Sequence, residues 1–314
     1  MAGAASGTDG REEAGGEDAG MGEAPALSVI VPVYRQWEML PLLLADLAAQ
    51  EDVPPFEVII VDNEPDTPGP RPGVPDTTTR PATRFALRHI DCATPGSYAA
   101  RNAGAAVARG GVFVFTDADC RPASSWLAAL TGAAAAEPEA LLAGPVEVVG
   151  GETPNACEIY DMIRGIPQAR YVARGYAATA NLAVPAAVFT ALGGFDPRRF
   201  SGGDAEFCRR AGAAGHPLRL VGAAVTRHPA RADWGELAAK ARRIKGGQIR
   251  GGPLPRRIAW VLRTPLPPLR DTRAYLRAEA PWRWRRTAVA LRFRLWGVEV
   301  AEMLRLLAGG TPER

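Results

Sequence analysis

The chain has 314 residues, enough for a sizeable core and one or two domains. Its apolar fraction of 47% and charged fraction of 23% are those of an ordinary globular protein, which excludes a fibrous or wholly disordered chain. The formal net charge is only +3, so no general affinity for nucleic acid is expected.

In chain order, the first 25 residues are small and acidic without periodicity, which predicts a disordered tail over 1–25. That tail has no basic stretch followed by an apolar one, so it does not read as a signal peptide. "LSVIVPVY" (27–34) reads as a first buried strand. Leu40, Leu43, Leu44 and Leu47 recur at helical spacing and predict a helix within 37–50. "FEVIIVDN" (56–63) predicts a second buried strand ending in Asp62, and the three pieces form a β-α-β unit with parallel strands. The Pro-rich stretch 64–83 is a loop, and "RFALRHI" (84–90) a third strand. "SYAARNAGAAVARG" (97–110) is Ala-rich with a terminal Gly and predicts a helix. "GVFVFTDADC" (111–120) is an apolar strand that ends in two carboxylates, Asp117 and Asp119, and a helix follows over 124–138 with Ser at its start.

This alternation predicts an open, mostly parallel α/β sheet with helices on both faces. Ligands of such sheets bind outside the carboxyl ends of the strands, where Asp62, Asp117 and Asp119 all fall. Two hard oxygen ligands on one loop suit Mg²⁺ or Mn²⁺, but Asp-x-Asp can equally cap the next turn, and the pair alone leaves both readings open. Further on, strands are expected over 141–150 and 217–229, a strand, turn and short helix over 180–195, and helices over 202–215, 234–250 and 281–309. Cys92, Cys120, Cys157 and Cys208 include no CxxC pair, so reduced thiols in a cytosolic protein are expected rather than zinc or a disulfide framework.

Five stretches carry a resemblance: "SVIVPVYRQWEMLPLLLADLAAQ", "FEVIIVDN", "GSYAARNAGAAVARGGVFVFTDADCRPASSWL", "NLAVPAAVFTALGGFD" and "FSGGDAEFCRRAGAAG". In this order and spacing they resemble the family 2 glycosyltransferases, an inverting group with the GT-A fold. The resemblance implies a catalytic domain over 26–250, with 251–314 as a C-terminal helical extension. It implies metal-dependent transfer of a hexosyl-type sugar from a nucleoside-diphosphate sugar to the hydroxyl of a carbohydrate or lipid-linked acceptor. Pro32, Val33 and Tyr34 would touch the nucleoside, Asp62 the base, and Arg101 and Asn102 would lie beside the nucleotide. Asp119 would bind the metal, and Asp117 the ribose or a metal-bound water. Asn63 stands where the family commonly has a second Asp.

The family's Glu-Asp pair at a helix start corresponds to Gly203 and Asp204, so the Glu is missing; Asp204 is the expected general base and Glu206 the second candidate. Read as residues, the two could simply be first-turn helix charges. His228 resembles a position that ligates the metal or meets the diphosphate. Arg243 and Lys245 fit either a lid over the diphosphate or a solvated basic face. Tyr160, Gln168, Tyr171, Tyr176, Thr179 and Asn181 are candidates for the sugar site, Asn181 first among them. Trp126 is expected to pack beside the acceptor pocket. The Gly203 departure keeps a second reading in view, a non-catalytic nucleotide-sugar-binding or scaffold protein. The basic helix over 281–309 fits either a peripheral contact at the inner face of a membrane or packing across the catalytic domain, with packing preferred. Oligomeric state is left open.

Overall fold

A computed structural model describes residues 24–67, 71, 85–199 and 201–313. The expected tail lies outside the described residues but for its last two, and so does most of the Pro-rich loop. The first half comprises β1 (Leu27–Val33), α1 (Leu40–Ala48), β2 (Phe56–Asp62), β3 (Ala86–Asp91), α2 (Ser97–Val107) and β4 (Val112–Phe115). β1 and β2 are buried on both faces, which is why they are continuous apolar runs rather than alternating ones. Next come β5 (Arg121–Pro122), α3 (Trp126–Ala136), β6 (Leu141–Ala143), β7 (Val146–Val149), α4 (Ala156–Arg164) and α5 (Gln168–Val172). A 3₁₀ turn at Thr179–Asn181 leads into β8 (Leu182–Pro185), α6 (Ala186–Ala191), α7 (Gly203–Ala213), β9 (Leu218–Leu220) and β10 (Thr226–Pro229). The chain closes with α8 (Trp234–Arg250), α9 (Leu254–Arg263), α10 (Leu269–Leu276) and α11 (Trp282–Leu307).

The main sheet has the order β3-β2-β1-β4-β8-β6-β9. The pairs β3–β2, β2–β1 and β1–β4 are parallel, β8 is antiparallel to both neighbours, and β9 is again parallel to β6. This is the mixed, mostly parallel α/β sheet that the alternation implies. One face buries Val29, Val31 and Val33 with Leu43, Leu47, Trp126 and Leu127 from α1 and α3. The other buries Ile30, Phe113 and Phe115 with side chains of α2, α6 and α7, among them Ala100, Phe189 and Phe207.

Two expected strands are each broken into two. The 141–150 segment breaks at Gly144–Pro145, and 217–229 breaks at the turn where the Ala224 amide donates to Val221. The physical cause of the first break is close packing. A Cβ at Gly144 would lie 2.0 Å from the Ala224 carbonyl oxygen and 2.4 Å from Asn181 Nδ2, and Pro145 has no amide to donate to a ladder. As a result β6 and β9 remain in the large sheet, while β7 and β10 leave it together and pair in the small sheet β5-β10-β7. That departure carries His228 to Asp119 at the end of β4.

The segment 251–280, to which no elements were assigned from its residues, holds α9 and α10. α11 packs along α4 and α8, burying Ala288 and Leu295 against Tyr160, Leu237 and Tyr275. Among the described residues no helix is long and apolar enough to cross a membrane. Replacing Gly144 with Ala forces its methyl into backbone, so the variant is expected to lose about 3 kcal/mol of stability, read as a lowered urea midpoint at unchanged slope.

Candidate active site

Asp117 and Asp119 sit in a turn just after β4, closed by the Cys120 amide donating to the Asp117 carbonyl at 3.0 Å. Thr116 anchors this turn by donating its hydroxyl to the Ala180 carbonyl at 3.1 Å. Asp119 is buried. Its Oδ2 accepts the Gln36 amide at 3.0 Å, whereas Oδ1 has no hydrogen-bond partner. Oδ1 faces His228 Nε2 at 3.6 Å, too far for a hydrogen bond. His228 Nδ1 lies 2.8 Å from the Pro229 carbonyl, which can only accept, so the ring proton belongs on Nδ1 and Nε2 is left bare in the neutral imidazole. In that neutral form two acceptor atoms face each other inside the protein. Ligand atoms of Asp117, Asp119 and His228 all lie within 4.8 Å of one another. This set of two carboxylates and an imidazole, with an orphaned buried oxygen, fits a divalent cation. Burial is the main cause that raises the Asp119 pKa; Asp117 adds to it, and His228, Arg231 and the Gln36 bond oppose it.

The other half of the site hangs from α2. Arg101 is buried there, donates to the Ser97 carbonyl at 3.3 Å and pairs through Nη2 with Asp117 Oδ1. Tyr98, three residues earlier on the same face, donates its hydroxyl to Asp204 Oδ1 at 3.3 Å. The Ala205 amide donates to the same oxygen at 2.8 Å. Burial raises the Asp204 pKa above the ordinary carboxylate value, against the opposing pull of those donors and of Arg101. The Tyr98 ring also occupies the space beside Gly203, where a Cβ would stand 2.7 to 2.9 Å from three ring carbons. A side chain at position 203 is therefore excluded sterically, because the tyrosine fills its space.

Several expected contact residues are committed to holding the site together. The Asn102 amide donates to the Phe195 carbonyl at 2.8 Å and accepts its N–H at 3.0 Å, which fixes the loop before α7. Asn181, expected against the sugar, is fully buried: its oxygen accepts Trp126 Nε1 at 2.9 Å, and its nitrogen donates to Pro145 and Ala224 at 3.0 and 2.8 Å. Trp126 is likewise wholly buried in the core rather than bordering a pocket. Glu206 is tied along α7 to Arg210, with both its oxygens accepting at 3.0 Å. Gln168 ties to the backbone of Ala178 and Asn181. Tyr160 packs edge-on against Tyr275, and Tyr171 stacks on Tyr176. Thr179 is buried.

Around the ends of β1 and β2, Val33 is core, Pro32 half-buried and Tyr34 exposed, with the Arg35 guanidinium 4.9 Å from its ring. Arg35 itself takes a positive φ of 59°, which turns the chain sharply after Tyr34. Asp62 accepts the Glu64 amide at 2.8 Å and Arg71 Nε at 2.7 Å. Asn63 donates to the carbonyls of Cys92 and Thr94 and accepts the Gly96 amide, a pattern that an Asp could not supply because it has no donors. Lys245 fits neither expected role. It is buried against the C-terminal helices, where it donates to Gln248 and Thr264 at 2.8 and 3.1 Å. Burial depresses its pKa. Arg243 is exposed. Sequence reasoning missed Gln36 and Tyr98. Tyr98 had a legible signal, since it precedes Arg101 by three on a predicted helix.

Comparison with known proteins decides the family. Residues 28–179 match the model of glycosyl transferase family 2. The chain is also 32% identical over 233 residues to glycosyltransferase AglE of Haloferax volcanii, covering 72% of this chain and 73% of that one. The chain belongs to glycosyl transferase family 2. The glycosyltransferase shares its fold with a solved structure titled mannosyltransferase PcManGT from Pyrobaculum calidifontis in complex with GDP-Man and Mn²⁺, at a TM-score of 0.54, 18% identity and coverage of 91% of this chain and 88% of that one. Family and relative together make the protein a transferase and decide against the non-catalytic reading.

The packing of Tyr98 on Gly203 can be tested in this glycosyltransferase by a double-mutant cycle. Gly203→Glu alone is expected to cost about 2 kcal/mol of stability, and less by about 1 kcal/mol in a Tyr98→Ala background, measured by urea unfolding.

Proposed function

We propose that this glycosyltransferase is an inverting, metal-dependent enzyme that moves a sugar from a nucleoside-diphosphate donor to the hydroxyl of a carbohydrate or lipid-linked acceptor. The observation that carries the reading is the spacing on α2, where Arg101 and Tyr98 hold Asp117 and Asp204 from one helix face. Asp119 and His228 would hold the cation, with Asp117 beside them. A bound Mg²⁺ or Mn²⁺ would supply positive charge against the departing diphosphate. The PcManGT complex contains a donor and a cation of these classes.

The chain's own residues do the rest. Pro32, Val33 and Tyr34 shape the exit of β1 for the nucleoside, and Asp62 stands at the next strand end to receive the base. Arg101 fixes the Asp117 carboxylate beside the nucleotide. Asp204 takes the proton of the acceptor hydroxyl as that oxygen attacks the anomeric carbon opposite the leaving group. Its burial helps, because a carboxylate of raised pKa is a stronger base. Tyr98 orients Asp204, in the place a second carboxylate would otherwise take. Asn102, Asn181 and Glu206 are assigned to holding these groups rather than to touching substrate.

A thermal-shift screen of nucleoside diphosphates is expected to show a rise in melting temperature for at least one, dependent on Mn²⁺ or Mg²⁺ and abolished by Asp119→Ala. No shift with any of them would remove the donor assignment. Asp204→Asn is expected to lower transfer by about 10²- to 10⁴-fold while donor binding persists. Transfer within threefold of the wild type would place the base elsewhere. The same variant has a pH signature. The folded state holds the Asp204 proton to higher pH than the unfolded state, so wild-type stability from this group is greatest below the unfolded value and falls as pH rises through the folded one. Relative to wild type, Asp204→Asn should therefore gain stability with rising pH across that window and then level off.

A further inference from the structure

α9 is fastened to the body along one side only. Arg257 donates to the Ile249 carbonyl at 2.7 Å, Val261 packs on Ile249, Met303 and Leu306, and the Trp296 indole donates to the Thr264 carbonyl at 2.9 Å. Another side presents Leu254, Ile258 and Leu262, one turn apart, with 62%, 49% and 70% of their surface exposed. Leu266 and Leu269 continue the series into α10 at 64% and 65%. Single exposed leucines are ordinary; five large aliphatic side chains exposed in so short a stretch are not.

The charges around them are of one sign. Arg270, Arg273 and Arg277 are exposed on the Leu269 side of α10 and its end, whereas Arg256 and Arg263 are exposed on the side of α9 away from Leu254, Ile258 and Leu262. The one acidic residue of the segment, Asp271, accepts a bond from Arg292 Nε at 2.7 Å. A two-fold contact with a second copy would bring this basic rim against itself, which like-charge repulsion opposes. An anionic bilayer satisfies both features at once, with acyl chains for the leucines and lipid phosphates for the guanidinium groups.

We propose that α9 and the turn into α10 are a membrane-docking face that seats the protein on an anionic lipid surface. The contact is distinct from the one considered for the 281–309 helix, since α11 buries its apolar side against α4 and α8. It is also independent of the transferase chemistry, so it is tested by binding alone.

The experiment is flotation of the full chain with phosphatidylglycerol–phosphatidylcholine vesicles and with phosphatidylcholine vesicles, with light scattering of the free protein alongside. The chain is expected to float with the anionic vesicles and to stay behind with the zwitterionic ones. Leu254→Ser/Ile258→Ser/Leu262→Ser and, separately, Arg270→Gln/Arg273→Gln/Arg277→Gln should each lower partitioning by about tenfold or more at an unchanged melting temperature. The proposal is overturned if the wild type does not float with anionic vesicles, if it floats equally with both kinds, or if the leucine variant partitions like the wild type. It is overturned as well if the wild type is a dimer that the leucine substitutions dissociate, which would make this face a seam between copies.

Discussion

Helix α2 sets the spacing of the site. Within two turns it reaches Asp204 through Tyr98, Asp117 through Arg101 and the Phe195 backbone through Asn102. These partners come from three separate stretches: the end of β4, the loop after α6 and the start of α7. A helix turns 100° and rises 1.5 Å per residue, so groups one, three and four apart on it keep fixed relative positions. The helix is itself rigidly placed, with Ala100 and Gly104 pressed against the sheet. The arrangement of the carboxylates is thereby tied to the packing of the core, and loops far apart in sequence inherit the precision of one helix.

The electrostatics are balanced by the same parts. Asp117 is offset by Arg101, but Asp119 has only a neutral amide on one oxygen and a bare imidazole nitrogen near the other. An unsatisfied buried acceptor costs about 1–3 kcal/mol, a cost the fold bears at the turn where β4 and β10 converge. Such a cost is tolerated where a ligand removes it. Asp204 shows a milder form of the same design, since a phenol and an amide hold its carboxylate without neutralising it.

Much of this was legible in the residues. Buried strands announced themselves as unbroken β-branched runs, and the carboxylates at their ends followed from the parallel arrangement. What remained hidden was set by contacts between distant segments. Nothing local in "LLAGPVEVVG" says that Gly144 must admit the Ala224 carbonyl, yet that approach splits the strand and creates the second sheet. Asn181 looked like a free polar group because its three partners, Trp126, Pro145 and Ala224, lie 36 to 55 residues away. Lys245 looked like a surface cation because its cover, Thr264 and Glu299, comes from segments 19 and 54 residues further along the chain.

Glycine at position 203 admits the Tyr98 ring beside Asp204. A carboxylate beside Asp204 would add a second negative charge in a buried place and would push the two pKa values apart. A tyrosine ring in that volume contributes a neutral donor instead, and it removes water from one side of Asp204 through its own burial. In this protein burial raises the basicity of the aspartate, and the tyrosine's own hydrogen bond opposes that rise. The tyrosine reaches it from α2, not from α7, so Asp204 is coupled to the helix that also holds Asp117. Asp204 is thus a carboxylate of raised pKa at the start of α7 that is supported from a different element.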